Sequence, residues 1–200
     1  MKVILFVALE NEFPKELAPK GVKVVYTGVG KINAAMISTE CLRDFEPSDT
    51  IVINFGSAGS KLPKLNLYKC TKFIQGDMDA EPFAPKTETP FDENGKQIVF
   101  RQNGYECYTQ DRVEKNPIEE RIYDMEAYAL AKVCRYYGFD FHCYKFVSDD
   151  GNTDDWETNH NKGIEMFLKE LETLPSPDGG TVDTSVLGTD IERCESSNLS

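Results

Sequence analysis

Residues 3–8 form an unbroken apolar run, the pattern of a β-strand covered on both faces. Residues 22–26 give a second strand, which Thr27-Gly28-Val29-Gly30 breaks. From 31 to about 45 the spacing turns helical, with Ile32, Ala35, Met36, Thr39 and Leu42 on one face. Residues 50–54 read as a third strand, ending in the turn Gly56-Ser57-Ala58-Gly59. Strand, glycine turn and helix in alternation predict parallel strands joined by crossovers. Further on, 69–75, 98–100 and 105–109 read as strands, and 77–94 as a Pro-containing loop. A helix is predicted over 124–137 with Gly138 as its stop. A buried-type strand over 139–147, a turn at 148–152 and a last helix near 162–174 complete the pattern. From Pro175 onward Pro, Gly, Ser, Thr and Asp dominate, so 1–174 is expected to be one domain and 175–200 a flexible tail.

Composition narrows the function. The 200 residues can bury a core without disulfides or metal. A net charge of -12 speaks against a nucleic-acid backbone or an anionic membrane as partner, and leaves a small molecule. No stretch approaches the roughly 18 apolar residues of a membrane span. The opening run is cut short by Glu10 and lacks a small-residue cleavage site, so no signal peptide and a cytoplasmic location are expected. Six cysteines, none in a CxxC, and two histidines make a zinc site unexpected and the thiols reduced. Neither glycine cluster matches GxGxxG or a phosphate-binding P-loop, so no dinucleotide or other cofactor is expected.

Ligands of parallel α/β sheets bind beyond the carboxyl ends of the strands. Four groups fall there: Glu10 with Glu12, the glycines at 28 and 30, the run 56–59, and Ser148-Asp149. Glu126 heads an apolar stripe of Leu130, Val133, Cys134 and Tyr137, and a buried Glu is rare unless paired or functional. A wet carboxylate favoured by the helix dipole accounts for Glu126 equally well. Likewise Asp149 and Asp150 suit a turn or cap, Glu10 and Glu12 a solvated helix start, and the glycines simple turns.

Five stretches in order give a resemblance. They are Ala8-Leu9-Glu10-Asn11-Glu12, then Thr27-Gly28-Val29-Gly30-Lys31-Ile32-Asn33-Ala34-Ala35, then Ile53-Asn54-Phe55-Gly56-Ser57-Ala58-Gly59, then Asp124-Met125-Glu126-Ala127, and finally Phe146-Val147-Ser148-Asp149. Together they resemble the nucleoside phosphorylase and nucleosidase superfamily, nearest to the methylthioadenosine/S-adenosylhomocysteine nucleosidases. The resemblance implies a three-layer α/β fold, with a central mixed, mostly parallel sheet flanked by helices. It implies cleavage of a purine N-glycosidic bond.

Such cleavage builds positive charge on the ribose and negative charge on the leaving base. An acid must protonate the base, and a carboxylate must orient or deprotonate the attacking water. The resemblance gives the acid as Asp149, oriented by Ser148, and the second carboxylate as Glu12. Glu126 would hold the ribose hydroxyls, with Met125 against the sugar and Leu9 lining its pocket. Ser57 and Lys145 would lie near the water, Lys145 standing where the family usually has Arg. Val113 would present its backbone to the purine edge. Phe83 would be inserted from a neighbouring subunit to close over the 5′ substituent, which implies a homodimer. Two positions depart from the family: Arg112 where a base-stacking Phe is expected, either stacking on the purine or pairing outside the pocket, and Tyr128 for a small residue, either narrowing the pocket or packing in the core. The glycine-rich loops carry carboxylates and no Arg, which favours water over phosphate as nucleophile. The expected activity is hydrolysis of a 5′-substituted adenosine. The alternatives are a phosphate-dependent phosphorylase, a non-catalytic nucleoside-binding or storage protein on the same fold, and an unrelated flavodoxin-like binding domain.

Overall fold

The computed structural model describes residues 1–92, 96–118 and 120–174; the tail expected at 175–200 lies outside the described residues. Eight strands, β1 (Lys2–Val7), β2 (Val22–Tyr26), β3 (Thr50–Ser60), β4 (Leu67–Gln75), β5 (Ile98–Val99), β6 (Tyr105–Thr109), β7 (Arg121–Asp124) and β8 (Asp140–Asp149), form one mixed sheet. The helices are α1 (Lys31–Leu42), α2 (Ala127–Tyr137), α3 (Thr153–Asn159) and α4 (Ile164–Leu171). Parallel pairs join β1 to β2 and β3, β3 to β8, and β6 to β4 and β7. Antiparallel pairs join β3 to β7 and β4 to β5 and β8. Strands β3, β8, β4, β6 and β7 therefore close a ring, with β1 and β2 as an open wing on β3.

Both sides of the sheet are covered, which is why β1 is apolar from Val3 to Val7. Its Ile4 and Phe6 join a core with Leu130 and Cys134 of α2, while Val3, Leu5 and Val7 join a second core with Phe167 and Leu171 of α4. Alternate side chains of a strand leave on opposite faces, so each set meets its own helix. In the second core Phe167 stacks on Phe55 at 4.3 Å and meets Phe13 edge-on at 5.7 Å.

Several expectations are corrected. Helix α1 buries Ala34, Ser38 and Leu42, while Ile32 and Met36 of the expected face are 80 % and 57 % exposed. Its large apolar residues are too few to define one stripe, and small side chains allow α1 to lie close against α2. The Ser38 hydroxyl costs little there because it donates to the Ala34 carbonyl at 2.6 Å. Residues 56–59 continue β3 instead of turning. Asp124 ends the unanticipated strand β7, and α2 starts only at Ala127. Its predicted stop holds: Gly138 adopts a left-handed φ of 82°. Residues 148–149 end β8, and the unanticipated helix α3 follows, capped by the Asn152 side chain on Asp154 N at 3.1 Å.

Phe167→Ala should lower unfolding stability by about 3–5 kcal/mol, because it empties the centre of the aromatic cluster. Urea denaturation checks this; a loss under about 1 kcal/mol would mean that the cluster collapses to refill the space.

Candidate active site

The carboxyl ends of β1, β3, β7 and β8 meet around a cavity of about 410 Å³. Leu9, Glu12, Ser57, Val113, Met125, Glu126 and Asp149 all line it. Ser148 and Lys145 stand behind that wall, fully buried or nearly so. Phe83 does not line it and is 76 % exposed.

Glu12 follows β1 on a turn in which its amide donates to the Leu9 carbonyl at 3.1 Å. Its side chain is buried against β3. Oε1 accepts from the Ser57 amide at 2.9 Å and the Ser57 hydroxyl at 2.5 Å, and Oε2 accepts from the Leu9 amide at 3.3 Å. The glycines of β3 make this possible. A Cβ on Gly56 would stand 3.4 Å from Lys145 Nζ and 3.7 Å from Glu12 Oε1, and one on Gly59 only 3.1 Å from Asp149 Oδ1. They are close-approach glycines inside a strand, not turn glycines.

Asp149 ends β8. Its Oδ2 accepts from the Ser148 hydroxyl at 2.8 Å, and its Oδ1 from the Gly151 amide at 2.9 Å. Ser148 thus orients the carboxyl and leaves it open to the cavity.

Beneath the floor lies a buried ion pair, Lys145 Nζ to Asp124 Oδ2 at 2.8 Å. Asp124 also accepts from the Thr109 hydroxyl at 2.5 Å and from the amides of Glu126 and Ala127 at 3.1 and 2.7 Å. It therefore caps α2 while fixing Lys145. Burial works against both charges. The Asp124 carboxylate nevertheless holds the Lys145 ammonium above its ordinary pKa, and Lys145 holds Asp124 below its own. Sequence reasoning missed this role because Asp124 was placed inside the helix.

Glu126 sits at the N-cap position of α2, and its Oε1 accepts from the Gly30 amide at 2.9 Å. Gly30 has a left-handed φ of 96°, which turns that amide towards the carboxyl. Burial, and then the negative charge of Asp124, push the Glu126 pKa up to about 8. Glu126 is 7 % exposed, so it is not the wet first-turn carboxylate that the sequence also allowed.

Of the two departures, Arg112 lines the cavity, while Tyr128 is 6 % exposed and belongs to the core. Thr153, Trp156 and Glu157 of α3 also line the cavity, and sequence reasoning missed them. Seven residues are too short for a periodic signal, although a lone Trp after a strand-end carboxylate was visible. Among the described residues no group of three or more His, Cys, Asp or Glu could hold a metal ion, and five cysteines are free. No helix among them is long and apolar enough to cross a membrane.

Comparison with known proteins follows the same lines. The family model of the phosphorylase superfamily matches residues 15–174. A 5′-methylthioadenosine/S-adenosylhomocysteine nucleosidase of Geobacillus kaustophilus is 29 % identical over 153 residues, which cover 62 % of this chain and 64 % of that protein. The chain thus matches under two thirds of that relative's length. One of Actinobacillus succinogenes is 25 % identical over 171 residues, covering 70 % and 73 %. Among solved structures, the Helicobacter pylori 5′-methylthioadenosine/S-adenosyl homocysteine nucleosidase superposes with a TM-score of 0.72 at 16 % identity, covering 86 % of this chain and 99 % of that one. Futalosine hydrolase of the same organism gives 0.73 at 17 %, covering 84 % and 96 %. At such identities the structural likeness establishes the fold.

The raised Glu126 pKa has a measurable consequence. In the unfolded chain this carboxyl titrates near its ordinary 4.5, and in the folded chain near about 8. Folding takes up a proton between these values, so the stabilisation is complete below about 4.5 and is lost as pH rises through about 8. The melting temperature of the unliganded protein should therefore fall more steeply between these limits than that of Glu126→Gln. Parallel curves would show that Glu126 is ionised throughout.

Proposed function

We propose that this chain, which belongs to the phosphorylase superfamily, is a purine nucleosidase that hydrolyses the N-glycosidic bond of a 5′-substituted adenosine. The observation that carries this is the gathering of Glu12, Glu126 and Asp149 around one cavity, each buried and each oriented by neutral donors. The names of the curated relatives support the substrate class. The overall architecture is read as three-layered and mostly parallel, in keeping with that family.

In the proposed reaction Glu12 takes a proton from water, whose oxygen forms the new bond to C1′ of the ribose. The C1′–N9 bond breaks, its electron pair goes to the base, and Asp149 supplies the proton that N7 needs. Asp149 can also accept from the exocyclic amine of adenine, which a 6-oxopurine lacks. Glu126, protonated near neutral pH, can donate to one ribose hydroxyl and accept from another. The products are adenine and the free 5′-substituted ribose.

Water is favoured over phosphate because the buried cation nearest the strand-end carboxylates is already engaged. Lys145 is buried behind the cavity wall and committed to Asp124 at 2.8 Å. A phosphate would also meet Glu12 directly. Cytoplasmic location and a homodimer belong to this proposal. The exposed apolar residues Val29 and Val113 line the cavity, and Ile32 and Met36 are exposed on the adjoining α1; a second copy would cover them and bring its Phe83 to the 5′ group.

Chromatography of free base tests the proposal. Wild type should release adenine from methylthioadenosine, S-adenosylhomocysteine or adenosine, with the relative rates naming the 5′ group. Asp149→Asn and Glu12→Gln should each lower turnover by roughly a hundredfold or more while the protein stays folded and Glu12→Gln still binds nucleoside. Unchanged turnover in either variant would remove that residue from its role, and a wild type that binds without releasing base would favour a binding or storage protein. Phe83→Ala should raise KM several-fold in a protein that light scattering shows to be a dimer; a monomer with unchanged KM would contradict the subunit-crossing role.

A further inference from the structure

Trp156, in the cavity wall, reaches the Glu12 carboxylate through a hydrogen-bonded intermediary. It lies on α3, and its indole Nε1 donates to the Ser57 hydroxyl oxygen at 2.8 Å. That hydroxyl is 2.5 Å from Glu12 Oε1. An indole nitrogen can only donate. The Ser57 oxygen is thereby held as an acceptor towards Trp156, and its single proton is left for Glu12. The chain of donation runs one way, from Trp156 to Ser57 to Glu12.

The direction matters for Glu12. Oε1 takes both the amide and the hydroxyl proton of Ser57, whereas Oε2 has only the long 3.3 Å bond from Leu9. Oε2 is the oxygen left free to accept a proton from water.

Helix α3 is fastened so that this indole stays in place. Lys64 pairs with Asp155 at 2.8 Å and with Asp150 at 3.6 Å, and the Asn159 side chain donates to the Ser148 carbonyl at 3.0 Å. The His160 ring stacks on the indole at 4.9 Å. The same short helix therefore touches the base-side residue Ser148 and the water-side residue Ser57.

We propose that Trp156 is a positioning residue, which acts through Ser57 to select Oε2 of Glu12 as the proton-accepting oxygen. Its kinetic consequence rests on the nucleosidase reading above; the relay itself does not.

Trp156 is the only tryptophan of the chain, so its emission reports this contact in substrate-free protein. Replacing Glu12 by Gln should shift that emission when Ser57 is present, and should leave it unmoved in a Ser57→Ala background. Equal shifts in both backgrounds, or none in either, would overturn the relay, whether or not the protein cleaves nucleosides. With methylthioadenosine as substrate, Trp156→Phe keeps the ring but loses the donor. It should lower kcat about tenfold or more with KM within about threefold, and should add nothing to the loss caused by Ser57→Ala alone. Unchanged kcat, or losses that simply multiply, would overturn the positioning role. A wild type that releases no base would sink the nucleosidase reading while the emission series still decides the relay.

Discussion

The site depends on one buried ion pair. Lys145 and Asp124 meet at 2.8 Å where neither side chain has measurable contact with solvent beyond 1 %. Removing one member of such a pair strands the other charge and costs about 3–5 kcal/mol, far more than the pair contributes over an apolar substitute. Its presence at the foot of the cavity therefore calls for a reason other than stability. Asp124 caps α2 and so sets the start of the helix that carries Glu126. Lys145 lies beneath the space that Gly56 leaves open, close to Glu12. One pair thus sets the start of the helix that carries Glu126 and places a cation near Glu12.

The surroundings of Glu126, Glu12 and Asp149 differ. Glu126 is raised to about 8 by burial and by Asp124, with Lys145 and the Gly30 amide pulling the other way. Glu12 and Asp149 are instead each oriented by a serine: Ser57 on β3 for Glu12, and for Asp149 its own neighbour on β8, Ser148. The parallel pairing of β3 with β8 brings these two serines and their carboxylates to the same end of the sheet.

Much of this was legible in the sequence where physics is local. The apolar run of β1, the strand at 22–26 and the glycine stop of α2 follow from periodicity and backbone freedom. The place of Glu126 at the head of an apolar stripe left burial and a wet helix start equally open, and the structure buries it. What was not legible depends on tertiary closure. The glycines at 56 and 59 look like a turn until the carboxylates that need their space are present. The face of α1 could not be chosen because small residues, not large ones, mark its contact. Strand β7 has four residues and α3 seven, too few for either period to register. Asp124 and Trp156 were lost with them, although both hold the site together.

The central claim is that this cavity directs water, and not phosphate, at the glycosidic carbon. The direct measurement is adenine release from methylthioadenosine in phosphate-free buffer and again with phosphate added, with the sugar product identified each time. The account predicts the same rate in both and free ribose product throughout. Release only with phosphate, yielding a sugar 1-phosphate, would contradict it.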